Sequence, residues 1–380
     1  LFSLMISLYI HWPFCLSKCP YCDFNSHVRQ SIDEDAWEKA LIHELKRVSE
    51  LTGSRLLQSI FFGGGTPSLM HPKTVGKIIE TATTLWAPSQ NLEITLEANP
   101  NSVEVNRFKE LRQNGVNRIS VGIQALNDGD LKLLGRLHSA EEAIKAIHTA
   151  CSTFDRVSFD LIYARPGQTL EAWESELKQA LEFETTHLSL YQLTIEPGTA
   201  FATLYARGDL VLPDENLSAD MFELTQGLMN EREMPAYEVS NHAKIGCECR
   251  HNLVYWRYQD YIGVGPGAHG RLTLDGRKYA TRQKKSPESW LKAIKDLGHG
   301  DEEVTELTPH EQDHERLMMG LRLLEGVNLS LLNLPLNKTI SEKALAFVVK
   351  ERYLEQEGTF LRATVEGRQR LNSVLKYLWV

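Results

Sequence analysis

Three cysteines fall within eight residues, as Cys15-x3-Cys19-x2-Cys22. Thiolates are soft ligands suited to iron–sulfur clusters. A loop this short can wrap three of them around one face of a cubane and leave one iron open to a small molecule. The same residues could instead form a Cys3His zinc site with His11 or His27 as fourth ligand, although zinc sites more often pair two C-x2-C knuckles far apart in sequence. Farther along, Gly63-Gly64-Gly65-Thr66-Pro67-Ser68 is a glycine-rich turn. Without a Cβ in the way, its backbone amides and carbonyls can approach a ligand closely, though a plain strand-to-helix turn would look the same. A third stretch, Cys247-Glu-Cys249-Arg-His251-Asn252-Leu-Val-Tyr255-Trp256, gathers thiols, an imidazole and aromatics, with His242 and His269 on either side. Its bland reading is a loop hydrogen-bonded by His251 and Asn252 over a core of Tyr255 and Trp256. A second zinc site from Cys247, Cys249, His251 and His269 is the other possibility.

Positioning these residues falls to a regular alternation of elements. Short β-rich runs occur at 7–10, 59–62, 92–97, 118–123, 157–163 and 188–195. Between them lie amphipathic stretches such as 33–51, 71–86 and 169–183, whose apolar residues recur every three or four positions. Six strands alternating with helices imply a mostly parallel sheet with right-handed crossovers. The unusual residues cluster at one end of it. The cysteines follow strand one and Gly63 to Thr66 follow strand two. Glu97 ends strand three, Gln124 follows strand four, Asp160 sits in strand five, and Thr194 falls near the end of strand six. In parallel α/β proteins the C-terminal strand ends form the functional face.

After a helix at about 214–232 comes Pro235 and a strand-like AYEVS, and the stretch 241–282 reads as loops packed on the rim. The last segment, 305–380, reads as helices, a short hairpin and a closing helix, a winged-helix-like module. The expected division is 1–235 for the barrel core, 236–304 for a linking region and 305–380 for the terminal module.

A net charge of −9 argues against a broad nucleic-acid surface, and no nucleic-acid partner is expected. No run approaches the roughly 18 apolar residues of a membrane-spanning helix. The apolar start reads as a buried strand rather than a secretory segment, because it lacks a basic flank and a cleavage site. With Leu1 first, the natural start is expected elsewhere, with Met5 a candidate. Six cysteines in 380 residues are too sparse for a disulfide scaffold, and a reducing, cytoplasmic setting is expected.

Cys-x3-Cys-x2-Cys after a first strand, with Tyr21 before the third cysteine, resembles the radical S-adenosylmethionine superfamily. The match is closest to its coproporphyrinogen-oxidase-like branch and runs over almost the whole chain. Tyr9-Ile-His-Trp-Pro-Phe-Cys15, Glu97-Ala-Asn-Pro100, Gly122-Ile-Gln124, Gly135-Arg136 and Asp160-Leu-Ile-Tyr163 fall in that branch's order. The resemblance implies an α/β fold, a partial (β/α)6 barrel followed by a C-terminal α+β region ending in the winged-helix-like module. It implies a [4Fe–4S] cluster on Cys15, Cys19 and Cys22. Carried over residue by residue, it implies contacts to S-adenosylmethionine from Tyr9, Tyr21, Gly64, Gly65, Thr66, Glu97, Gln124, Arg136, Asp160 and Thr194.

Within that branch, coproporphyrinogen dehydrogenases continue with a fourth cysteine two residues after the third, where this chain has Phe24. Cys22-Asp-Phe-Asn-Ser26, His251-Asn252-Leu-Val-Tyr255-Trp256 and Tyr261-Ile-Gly-Val-Gly265-Pro-Gly-Ala-His269-Gly270 resemble instead the branch's heme chaperones. That resemblance implies heme as cargo, with His251, Asn252, Tyr255, Trp256 and Cys249 as candidate heme contacts and no catalytic residue. It also implies heme-accepting respiratory membrane proteins as recipients and a homodimer as a candidate assembly. Oxidative decarboxylation of coproporphyrinogen III is the alternative. One departure stands out: relatives usually carry Gly-Leu-Pro-Gly after the fifth strand, and here it is Ala164-Arg165-Pro166-Gly167. Alanine restricts the backbone there, and Arg165 is expected to add a charge near the site.

Overall fold

The computed structural model describes residues 5–379. Six neighbouring parallel strands run in chain order: Met5–Trp12 (β1), Leu56–Gly64 (β2), Ala87–Ala98 (β3), Arg118–Gln124 (β4), Arg156–Tyr163 (β5) and His187–Gln192 (β6). Helices cross over between them, chiefly Glu34–Thr52 (α1), Pro72–Leu85 (α2), Phe108–Gln113 (α3), Ala140–Thr153 (α4) and Leu170–Leu181 (α5). This is the expected partial (β/α)6 arrangement. Both faces of these strands are largely buried, which is why they read as near-continuous apolar runs. Local signals set the helix starts. Asp33 caps α1 by accepting from the Ala36 amide, and Ser139 with Glu142 forms a capping box on α4.

The stretch expected to be rim loops holds four strands and a short helix. Asn241–Ala243 (β7) pairs antiparallel with β6, and Tyr261–Val264 (β8) pairs parallel with the free side of β1. His269–Leu274 (β9), Arg277–Gln283 (β10) and Asp301–Glu306 (β11) continue outward from β8. The sheet is thus eleven strands wide, in the order β11-β10-β9-β8-β1-β2-β3-β4-β5-β6-β7. Glycines at 263, 265, 267 and 270 break up the apolar pattern, and the partner of β8 lies some 250 residues away, so nothing local marks these strands. AYEVS forms no strand, only single bridges from Ala236 to His242 and from Glu238 to Leu323. The sixth strand stops at Gln192, which leaves Thr194 in the following loop.

Packing at one end of the barrel fixes the entry to the cysteine loop. Trp37 of α1 stacks on Trp290 of helix Pro287–Leu297 (α6), centroids 5.4 Å apart, and Trp12 and Phe14 meet Trp37 edge-on. Phe14, immediately before Cys15, is thus held in a cluster with three tryptophans. The last segment carries Pro309–Gly320 (α8), the hairpin Leu354–Glu357 and Phe360–Ala363, and Leu371–Leu378, around a core of its own that includes Leu317, Val348, Leu361 and Leu375. The short helix Arg250–Trp256 (α7) lies ahead of this segment in the chain. Among the described residues no helix is long and apolar enough to cross a membrane.

After β5, Ala164 takes φ +57°, a left-handed conformation that costs an L-residue roughly 1–2 kcal/mol. Arg165 does not add a free charge to the site. It is 1% exposed and turns inward to pair with Glu176 of α5 at 2.5 Å and Asp130 at 2.9 Å. The anchored arginine holds the loop in the conformation that the alanine disfavours.

Candidate functional site

The C-terminal ends of β1 to β6 enclose a cavity of about 400 Å³. Cys15, Cys19 and Cys22 all line it, so the short loop does bring the three thiols to one face. Their surroundings differ. Cys15 Sγ accepts from Thr66 Oγ1 at 3.4 Å, Cys19 Sγ accepts from Arg136 Nη1 at 3.4 Å, and Cys22 Sγ lies 4.0 Å from Ser26 Oγ. Burial pushes the thiols of Cys15 and Cys22 above their ordinary pKa, so an electropositive partner is needed to hold them as thiolates. Iron would supply that charge, and the Arg136 guanidinium already supplies some beside Cys19.

Of the two candidate fourth zinc ligands, one is fully committed and the other half committed. His11 uses both ring nitrogens, one with the Tyr9 hydroxyl at 3.0 Å and the other with the Asn25 carbonyl at 2.9 Å. His27 Nε2 is engaged with Asn25 Oδ1 at 3.2 Å. Among the described residues no three His, Cys, Asp or Glu side chains are close enough to hold a single metal ion.

The residues expected to contact S-adenosylmethionine converge. Tyr21, Gly64, Gly65, Thr66, Glu97, Gln124, Arg136, Asp160 and Thr194 all line the cluster cavity, and Tyr9 lines an adjoining one. Gly65 packs against Phe14, and a Cβ there would stand 2.7 Å from the Phe14 carbonyl oxygen. Gly65→Ala must therefore displace backbone rather than a side chain. It is expected to cost about 1–3 kcal/mol in thermal or urea unfolding and to lower cluster occupancy. Sequence reasoning missed Asn99. It donates to Thr66 Oγ1 at 3.0 Å and accepts from Arg136 Nη2 at 2.6 Å, joining the glycine turn to the arginine. Its only local signal is its place in Glu97-Ala-Asn-Pro100.

Two carboxyls face the same cavity. Burial, and then Asp160, pushes Glu97 up to about 8. Burial likewise raises Asp160 to about 6, against hydrogen bonds from Ser189 and Ser120. A cationic ligand with hydroxyl donors would relieve both, and Arg136 on the far side offers a partner for a carboxylate. The empty protein keeps on Glu97 a proton that the unfolded chain loses near its ordinary value. Stability should therefore fall as pH rises from the usual carboxyl range through about 8. Glu97→Gln removes that fall. The variant should gain thermal stability over the parent at about pH 8 but not at about pH 5, while losing S-adenosylmethionine affinity. Equal shifts at both values would show that Glu97 is already ionised.

The second cavity, of about 550 Å³, shares Phe24, Gly64 and Glu97 with the first. Phe24, two residues after Cys22, is thus a common wall. Tyr255 and Trp256 line this cavity together with Tyr258 and Tyr261. His251, Cys249 and Asn252 do not line it. Glu93 accepts from the amides of Arg250 and His251 and from Cys249 Sγ, fixing the start of α7. His251 is 1% exposed, with Nδ1 on Ser59 Oγ at 2.8 Å and Nε2 on Tyr255 Oη at 2.6 Å. Burial lowers its pKa to about 3 and raises that of Cys249 to about 12. Asn252 donates to the Tyr237 hydroxyl at 3.4 Å. Because His251 and Cys249 are committed inside while His269 faces the cavity, the second zinc arrangement is not assembled. His269 keeps an accessible edge, while partial desolvation by the cavity wall and then the charges of Arg271, Arg282 and Lys285 push its pKa below the ordinary value.

Asn25 ties the two cavities' loops together. Its side-chain amide donates to the carbonyls of Pro266 and Lys285, both at 2.9 Å, and a Cβ on Gly267 would stand 2.6 Å from that nitrogen. Two motifs distant in sequence, around Asn25 and around Gly267, are therefore one contact.

Residues 9–180 match the Radical SAM superfamily, and residues 307–370 match the HemN C-terminal domain. The chain is 36% identical to heme chaperone HemW of Escherichia coli (strain K12), over 98% of this chain and 97% of that protein. It belongs to the HemW family of radical S-adenosylmethionine proteins. The family's vertebrate relatives are also similar. One is the mitochondrial radical S-adenosyl methionine domain-containing protein 1 of Bos taurus, 40% identical over 84% of this chain and 74% of that protein. In fold, the structure matches coproporphyrinogen III oxidase (HemN) from Escherichia coli with a TM-score of 0.82 at 22% identity, over 98% of this chain and 89% of that one. Membership of this superfamily implies a [4Fe–4S] cluster and S-adenosylmethionine, and the three thiols with the acid-and-arginine cavity beside them fit that pair.

Proposed function

We propose that this protein is a heme chaperone. It would hold a [4Fe–4S] cluster on Cys15, Cys19 and Cys22 and S-adenosylmethionine between Glu97, Asp160 and Arg136. It would carry heme next to them and hand it to heme-accepting respiratory membrane proteins from the cytoplasm. The observation that carries this reading is the second cavity. It is walled by Tyr255, Trp256, Tyr258 and Tyr261, stands beside the cluster loop, and is parted from it by Phe24 rather than by a fourth thiol. Flat aromatic walls suit a porphyrin face. The E. coli and Haemophilus influenzae relatives bear the name heme chaperone, which supports the same reading.

When bound, the cluster supplies one-electron chemistry and an open iron for S-adenosylmethionine. The chain's own residues do the rest. Arg136 sets a positive charge beside Cys19, Thr66 donates to Cys15, and Glu97 and Asp160 present acceptors for a cation and its hydroxyls. An anaerobic heme titration of cluster-reconstituted protein, followed by difference absorption, tests the reading. Saturation near one heme per chain is expected. Absence of saturable binding, together with decarboxylated product from coproporphyrinogen III under reducing conditions, would replace the chaperone by an oxidative decarboxylase.

A further inference from the structure

The motif histidine is the obvious heme ligand by sequence, and the structure gives it another occupation. Both ring nitrogens of His251 are spent, on Ser59 and Tyr255, and its ring is stacked on Phe61 with centroids 5.0 Å apart. To reach iron it would have to break two hydrogen bonds and leave the core. Its bond to Tyr255 Oη instead sets the orientation of a ring that lines the aromatic cavity.

His269 stands where His251 does not. It opens β9, its side chain is exposed, and it lines the same cavity. Around it the cavity has what a dicarboxylate macrocycle needs. Tyr255, Trp256 and Tyr258 offer ring faces or edges, and Arg271 and Lys285 offer positive charge. Arg271 is oriented by Glu315 of α8 through bonds of 2.8 and 2.6 Å. At about 550 Å³ the cavity is within the size range of small-molecule and cofactor sites, roughly 300–1,000 Å³.

Resting on the heme reading, we propose that His269, and not His251, ligates heme iron in the cavity between α7 and α8. The carboxylates of the porphyrin lie toward Arg271 and Lys285, and His251 is a positioning residue for Tyr255. A neutral imidazole nitrogen donates its lone pair to iron, and no redox step is needed for binding.

Ferric heme is titrated into the cluster-reconstituted full chain and into its His269→Ala and His251→Gln variants, with absorption and low-temperature EPR of the heme as readouts. His269→Ala is expected to weaken binding about tenfold or more and to change the heme's ligand-field bands and spin state. Added imidazole should restore the parent spectrum. His251→Gln should keep the parent's axial-ligand spectrum. Parent-like affinity and spectrum in His269→Ala would overturn the ligand assignment and leave the chaperone reading standing. Absence of saturable heme binding by the parent chain would overturn both. Since His269 is exposed at the start of its strand, its alanine variant is expected to fold, and unchanged thermal unfolding would confirm that.

Discussion

With Cys15, Cys19 and Cys22 all replaced by alanine, the purified protein should hold essentially no iron, against about four per chain in the reconstituted parent. It should also lose measurable S-adenosylmethionine binding. The three thiols of the loop all line one cavity. The remaining cysteines cannot replace them. Cys151 is exposed on α4, Cys247 lies half-buried in the turn before α7, and Cys249 is buried against Glu93 with its thiol pushed up to about 12; none of the three lines the cavity. A Cys151→Ala control should therefore keep full iron. The loop's fold rests on Trp12, Phe14 and Asn25 rather than on the thiols, so the triple variant should unfold close to the parent's cluster-free form. Iron and acid-labile sulfide analysis reads the first effect and equilibrium dialysis the second. Retention of stoichiometric iron in the triple variant would place the cluster elsewhere.

The largest stability effect is expected at Arg165. Its guanidinium is 1% exposed, donates to the Ile162 carbonyl at 3.0 Å and pairs with Glu176 at 2.5 Å and Asp130 at 2.9 Å. Glu176 also accepts from the Leu126 amide at 2.7 Å, so it fastens the chain after β4 as well as the loop after β5. Arg165→Leu leaves the Glu176 carboxylate buried without its main partner. Breaking such a pair from one side costs about 3–5 kcal/mol. Removing both members, with Arg165→Leu and Glu176→Leu together, should recover much of the loss, because no charge is then stranded. Urea unfolding of the cofactor-free protein measures both. A single variant within about 1 kcal/mol of the parent would mean that water reaches Glu176, as surface pairs are worth only that much. Glu176 supports the loops that follow β4 and β5, the strands that carry Gln124 and Asp160, so S-adenosylmethionine affinity should fall alongside stability.

The sequence by itself determined the spacing of the three thiols and the order of residues around them. Cys15, Cys19 and Cys22 lie within one loop, where spacing alone limits their separation. Gly64, Glu97, Gln124 and Asp160 sit at or near strand ends, where the parallel βα pattern puts them on one rim whatever the details of packing. The tertiary structure alone decided what lies farther out. The sheet's extension through β8 to β11 depends on pairing with β1 across some 250 residues, and no local periodicity encodes that. The inward turn of Arg165 depends on a carboxylate in the next helix. The roles of the histidines depend on which partners reach them. Ser59, 192 residues away, takes one nitrogen of His251, while Asn25 reaches 241 residues to fasten the loop leading to His269. A motif records which side chains are near one another along the chain. Which ring faces the cavity and which is locked in the core is set by hydrogen bonds and burial between segments that meet only when the chain has folded.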